Sequence, residues 1–372
     1  AIRPPYDMQA ELMGESSGDK LTCWHKVCGT IDMTKILTCL AAMAALSMAA
    51  CDAPSQPAAN AEPSAPAPAS PVQKCMNFGG ALEAPSEGEW GYTVRQEDMQ
   101  RLKDAGFDTV RLPVKWSAHA DQAAPYKIDP EFLERIDQIV DWSEEVGIQL
   151  ILNVHHYNEL MDDPETHEPR LEGLWDQLAS HYADRPQSLI FEFINEPWGE
   201  MDVARVDALN ARLMERVRQD NPDRWVVVGS AGWGTLDALL QSDPPKDPRI
   251  ILTFHTYEPY KFTHQGAFFV DPPMPTGKVW GTKRDLAAMR DEGARAAAFR
   301  DAHGQPLLVG EFGVYEEIPM DQRARWTNAL RQTSESNGFG WCYWDYATTF
   351  KVYDQASESW VEPIRAALLG DE

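Results

Sequence analysis

Eight short apolar runs, each followed by a helical pattern, constrain this chain more than any other feature it carries. They read MNFGGAL from Met76, FDTVRLPV from Phe107, IQLILNV from Ile148, LIFEFI from Leu189, WVVVG from Trp225, IILTF from Ile250, LLVG from Leu307 and FGWCYW from Phe339. Most are apolar almost without interruption, the pattern of parallel strands covered on both faces. The segments between them predict helices. Asp129-Pro130 supplies an N-cap and a first-turn proline, Phe132, Leu133, Ile136, Ile139 and Val140 share one face, and Gly147 closes the helix. Val206, Leu209, Leu213 and Val217 repeat the pattern after the fourth run. Eight such units in about 300 residues predict a single α/β domain, a closed (β/α)8 TIM barrel, over an open doubly wound sheet. No Gly-x-Gly-x-x-Gly turn or Walker motif follows any of the strands.

The apolar runs end on polar residues. Arg111, His155-His156-Tyr157, Asn195-Glu196-Pro197, His255-Thr256-Tyr257, Glu311-Phe312-Gly313 and Trp344-Asp345 stand at or near these ends. In barrels of this kind chemistry sits at the carboxyl ends of the strands. Polar groups leaving buried strands must be satisfied, and a lined pocket does so. Pro197 forbids further pairing, so the fourth strand delivers Glu196 to the rim and the chain turns away. A structural reading of Glu196, as a cap for the next helix, stands beside the functional one. Glu192 lies inside the strand and is expected to be a buried, paired structural acid. Glu311 repeats the logic of Glu196 on the seventh strand, roughly opposite across an eight-stranded ring. Two opposed carboxylates suit glycoside hydrolysis, one donating a proton and the other attacking or activating water. Spacing alone leaves both stereochemical outcomes open, and leaves Asp345 open as a partner.

The segments NFGGALEAPSEGEWG, TVRLPVKWSAHA, NVHHYNELMDDPE, FEFINEP, FHTYEPYKFTHQG, VGEFGVY and YWDY resemble glycoside hydrolase family 5. Within that family they are similar to cellulases of hyperthermophilic bacteria with dual glucanase and mannanase activity. The resemblance covers about Met76 to Leu369. It implies a retaining endo-β-1,4-glucanase acting on cellulose or mixed-linkage β-glucan, with β-mannanase or dual activity as the alternative. It also implies Glu196 as acid/base, Glu311 as nucleophile and carboxyl groups about 5–5.5 Å apart. On this view the charge of Glu311 raises the Glu196 pKa, and Arg111 and Tyr257 hold Glu311 ionised and oriented. Asn195 matches the residue that bonds the sugar 2-OH, and His155, His156 and His255 match site histidines. Trp344 matches the floor under the non-reducing-side sugar, with a cis peptide after it. Glu83, Pro113, His264 and Asp345 match sugar-subsite positions, and no cofactor or metal is implied. The chain departs at Gly80, where the dual-activity relatives carry a sugar-contacting Asn. The aromatic- and proline-rich stretch after the sixth strand is read as a cleft wall on the leaving-group side, with Trp280 as a candidate platform.

The first 74 residues differ from the rest. Met33–Cys51, MTKILTCLAAMAALSMAAC, has the anatomy of an export signal and resembles bacterial lipoprotein signals, with Cys51 as lipid anchor. Cleavage near Ala49 or Ala50 and plain secretion is the alternative. Residues 1–32 precede this start and are read as a non-native or misassigned segment, and residues 52–74 as a Pro/Ala-rich disordered tether. The catalytic domain is placed at 75–372, and an envelope lipoprotein or secreted protein, monomeric by default, is expected. Four of the six cysteines lie in the leader, which leaves Cys75 and Cys342 as expected free buried thiols or a link between the first and last strands. A net charge of −25 argues against nucleic acid or anionic lipid as partner and suits a neutral polysaccharide. Two rival readings are a metallohydrolase, which lacks a compact motif such as His-Glu-x-x-His, and a non-catalytic sugar-binding lipoprotein.

Overall fold

The computed structural model of the protein describes residues 70–370. The export signal, Cys51, residues 1–32 and most of the Pro/Ala-rich tether lie outside the described residues. Eight parallel strands close on themselves in chain order: β1 Lys74–Asn77, β2 Thr109–Leu112, β3 Gln149–Asn153, β4 Leu189–Glu192, β5 Val226–Val228, β6 Ile250–His255, β7 Leu307–Phe312 and β8 Gly340–Tyr343. Every predicted run overlaps one of them. Around the ring lie α1 Gln96–Ala105, α2 Pro130–Val146, α3 Pro164–His181, α4 Val203–Asp220, α5 Leu236–Leu239, α6 Lys283–His303, α7 Met320–Ser336 and α8 Glu362–Leu369. The fifth is a single turn.

Local chemistry explains the elements. Asp129 caps α2 by accepting from the Glu131 N–H at 2.9 Å, and Gly147 ends it at φ +72°, the left-handed geometry glycine adopts at least cost. The helix turns Ile136, Ile139, Val140 and Val146 into the core. In α4, Asp202 accepts from Arg205 N–H while Val206, Leu209, Leu213 and Val217 face inward.

The strands' period of two builds the barrel interior in layers. The floor is apolar and fully buried: Val72, Cys75, Ile151, Ile190, Val227, Ile251, Leu308 and Cys342. Two residues further along β1, β3, β4 and β6 the inward positions are Asn77, Asn153, Glu192 and Thr253, all buried. The floor starts before Cys75. Val72 is in it, the Gln149 amide donates to Pro71 O at 2.9 Å, and Trp341 N–H donates to Gln73 O at 3.0 Å. Residues 70–74, assigned to the tether from composition, therefore pack as part of the barrel. The expectation of free thiols is also corrected. Cys75 and Cys342 are directly paired across β1 and β8, and a disulfide joins them. Closure of the ring brings together two cysteines 267 residues apart.

Candidate active site

Arg111, at the end of β2 and with no exposed surface, organises the upper barrel. Its Nε and Nη2 donate to the two oxygens of Glu192 at 2.7 and 2.6 Å. Nη2 also reaches Asn195 Oδ1 at 2.7 Å, and Nη1 reaches Asn77 Oδ1 at 2.8 Å and Glu311 Oε1 at 2.7 Å. Glu192 is the buried, paired acid its place in the strand suggests. One guanidinium thus ties β1, β2, β4 and β7 at the same height, in the planar, bidentate geometry arginine favours.

The two expected acids meet. Glu311 receives Arg111 on Oε1 and the Tyr257 hydroxyl on Oε2 at 3.0 Å. Glu196 Oε1 lies 2.7 Å from His255 Nδ1, and that nitrogen is 3.7 Å from Glu311 Oε1. One oxygen of each acid and a ring nitrogen of His255 all lie within 4.8 Å of one another. The Glu196 side chain keeps 19% of its surface exposed against 6% for Glu311, so Glu196 stands nearer the mouth. β4 ends at Glu192, and Glu196 itself is left-handed at φ +42°, a region costly for a residue with a Cβ and frequent at functional sites. Pro197 stops pairing, and this left-handed residue aims the carboxyl.

Burial pushes the Glu196 pKa up to about 8; the charge of Glu192 adds to the rise and Arg111 opposes it. The expected leading role for Glu311 is therefore replaced by desolvation. Burial raises Glu311 as well, with the charge of Glu196 adding and Arg111 opposing. Of the two acids, it is Glu311 that Arg111 and Tyr257 hydrogen-bond, so the charge of the pair is best held there and the proton on Glu196. Burial also lowers the His255 pKa, which keeps the ring neutral beside Glu196. The same three donors could in geometry ligate a cation, but Arg111 already supplies positive charge at Glu311.

The sugar-facing candidates divide. Trp344 stacks on His155 with centroids 5.8 Å apart and 12° between planes, and His155 meets His156 edge to face at 4.4 Å. The Trp344–Asp345 peptide is cis, as the resemblance implies. Burial lowers the pKa of His155 and takes that of His156 to about 3, so both are neutral. Asn195 Oδ1 accepts from Arg111. His264 packs against Tyr257 and Tyr260, and Pro113 is buried directly after β2. Glu83 and Asp345 have no exposed surface; Glu83 accepts from the Gly80 and Ala81 N–H groups and Asp345 from Thr348 N–H and hydroxyl. Burial raises their pKa values to about 8 and about 7. Both carboxyls brace loops.

Gly80 has a structural reason for lacking the side chain its relatives carry. Its φ is +78°, and a Cβ there would run into the Thr348 methyl. Trp280 is a correction. It is 2% exposed, packs near Phe262 at 6.5 Å, and its backbone N–H donates to Gln322 of α7, so the indole is buried in loop packing and presents no open face. Composition marked the loop, but loop packing decides which ring faces out.

Sequence reasoning passed over Asn77 and Asn153, the last residues of β1 and β3. Asn153 accepts from Val114 N–H at 3.2 Å and its amide lies 3.1 Å from His155 Nδ1. It also passed over Trp198 and Trp233. These partly exposed indoles lie parallel, 5° apart with centroids at 6.0 Å, and a Cβ on neighbouring Gly234 would sit 3.4 Å from Glu196 Cγ. Trp198, two residues beyond Glu196, was a legible signal.

A closed parallel barrel with facing acids beyond β4 and on β7 defines the class of barrel glycosidases. The family model described as Cellulase (glycosyl hydrolase family 5) matches residues 71–349, and the chain belongs to glycoside hydrolase family 5. Among curated relatives, Endoglucanase H of Acetivibrio thermocellus is 33% identical over 269 residues, 72% of this chain and 29% of that protein. Cellulase/esterase CelE of the same organism is 27% identical over 77% of this chain and 38% of its own length. The chain thus spans between a quarter and two fifths of these two relatives. Among solved structures, Thermotoga maritima Cel5A in complex with cellobiose is 34% identical with a TM-score of 0.78, covering 80% of this chain and 97% of that one.

Proposed function

We propose that the protein is a retaining endo-β-1,4-glucanase. Glu311 is the nucleophile and Glu196 the acid/base, and the substrate is cellulose or mixed-linkage β-glucan. The observation that carries this reading is the asymmetric pair of acids within 4.8 Å, one gripped by Arg111 and Tyr257 and the other, among the described residues, hydrogen-bonded to neutral His255. At that separation a carboxylate reaches the anomeric carbon directly, without the gap an intervening water requires. In the first step a Glu311 oxygen bonds to the anomeric carbon as the glycosidic C–O bond breaks, and the Glu196 proton passes to the departing oxygen. In the second, ionised Glu196 takes a proton from water, the water oxygen bonds to the anomeric carbon, and Glu311 is released. Esterification removes the charge on Glu311, which favours ionised Glu196 for that second role.

His155, His156, Asn195 and Trp344 bind the sugar on the non-reducing side, with the Asn195 amide directed to the 2-OH. Trp198 and Trp233 offer apolar ring faces to the leaving-group sugar. The relatives named endoglucanase support the glucan assignment. Cel5A has also been solved with mannotriose, which keeps mannan as the competing substrate. Glu311→Gln is expected to lower turnover by about four orders of magnitude or more while sugar binding persists; undiminished hydrolysis by this variant would falsify the nucleophile assignment. A product time course on carboxymethyl-cellulose, barley β-glucan and glucomannan should show the fastest viscosity loss on a β-glucan. A strong preference for pure mannan promotes the alternative.

The protein is further proposed to be exported through Met33–Cys51 and anchored at Cys51, acting as a monomer. A disulfide in the barrel floor accords with an oxidising compartment. Mass spectrometry of the mature N-terminus tests the anchor, and an unmodified start beyond Cys51 would exclude it.

A further inference from the structure

The end of β6 carries hydrogen-bond partners of both acids: His255 for Glu196 and Tyr257 for Glu311. The ladder with β7 is irregular at that point. Pairing of β6 with β7 is regular to Phe254–Val309 and then slips, so that His255 lies opposite Glu311 and Gly310 is skipped. Beyond the slip, Thr256 N–H donates to the Glu311 carbonyl at 3.0 Å. Thr256 points out of the barrel, its neighbours His255 and Tyr257 into it, as alternation along an extended chain requires. Outside, the Thr256 hydroxyl meets Glu292 of α6, 3.0 and 3.1 Å from its two carboxyl oxygens.

Glu292 is set on a rigid mount. Its helix begins with a capping box between Thr282 and Asp285. The next residue, Gly293, lets α6 press against α7, since a Cβ there would sit 2.7 Å from Thr333 Cγ2. The carboxyl is only partly exposed, and burial raises its pKa to about 7. An acid held at such cost, outside the cleft and aimed at one buried hydroxyl, calls for a role.

We propose that Glu292 is a positioning residue for the reaction, fixing through Thr256 the strand end that presents His255 to Glu196 and Tyr257 to Glu311. This rests on the assignment of those two acids as the reacting pair. Reacting groups tolerate little misplacement, so loosening the strand end should slow the chemistry more than it weakens binding.

The test compares Glu292→Ala, Glu292→Gln, Glu292→Asp, Thr256→Val and Thr256→Ser on a soluble β-glucan, with thermal unfolding of each and Glu311→Gln as a control. Glu292→Ala and Thr256→Val should each lower kcat by about 10–100-fold with KM within about twofold. Their combination should cost no more than either alone. Glu292→Gln and Thr256→Ser, which keep an acceptor and a donor, should recover most of the rate. Should the alanine variant fail to fold, Glu292→Asp, which withdraws the acceptor by one methylene, should still show the kcat loss. Unchanged kcat in folded Glu292→Ala or Glu292→Asp, or multiplicative losses in the double variant, would overturn the inference. An active Glu311→Gln control would instead overturn the assignment of the acids.

Discussion

The floor and the upper layer of the barrel are built on the same strands, two residues apart, and obey opposite physics. Below, Cys75, Ile151, Ile190 and Ile251 need only fit together. Above, Asn77, Asn153, Glu192 and Thr253 begin a layer that holds Arg111, and every charge there must find a partner. Burying apolar surface stabilises directly. Burying a charge costs several kcal/mol before its pairing returns anything. The floor thus carries the upper layer, and the upper layer carries the chemistry.

The sharpest way to break this division is Arg111→Met. It strands Glu192 and Glu311 as buried carboxylates, for an expected loss of about 3–5 kcal/mol in stability by denaturant unfolding and near-complete loss of turnover. Ile190→Ala, one layer down, should cost about 2–5 kcal/mol with kcat almost unchanged. Reducing the disulfide, or replacing both cysteines with Ala, should cost about 2–4 kcal/mol, visible as a lower Tm at unaltered kcat. A pH profile sharpens the contrast further. Glu196 must be protonated in the free enzyme, so kcat/KM should fall as pH rises through about 8, and Ile190→Ala should leave that limb in place. Smallest is Gly80→Asn, expected to lower stability by about 1 kcal/mol through its left-handed backbone and the neighbouring Thr348 methyl; Thr348→Ala should relieve the second part.

The fold was legible because strand burial and helix caps are local. LIFEFI, LLVGEFG and the Asp129-Pro130 to Gly147 helix announce themselves within a few residues, and strand-end polarity led to both acids. What was missed depends on registers and packing that no local window contains. Cys75 meets Cys342 only because the ring closes with those residues opposite. Trp280 and Trp198 are similar residues in sequence; tertiary packing turns the first into the loop base and leaves the second beside Glu196. Glu83 and Asp345 match sugar-subsite positions in a row of letters; that their carboxyls answer the N–H groups of their own loops is visible only in three dimensions. The rise of the Glu196 pKa was foreseen, but its leading cause, loss of water, is a property of depth that sequence does not report.

The sulfur bridge between the first and last strands has a topological consequence. A protease that cut any one surface turn between residues 75 and 342 would leave both fragments covalently attached through the bridge. A single scission would then be a wound the molecule can carry rather than the start of its disassembly.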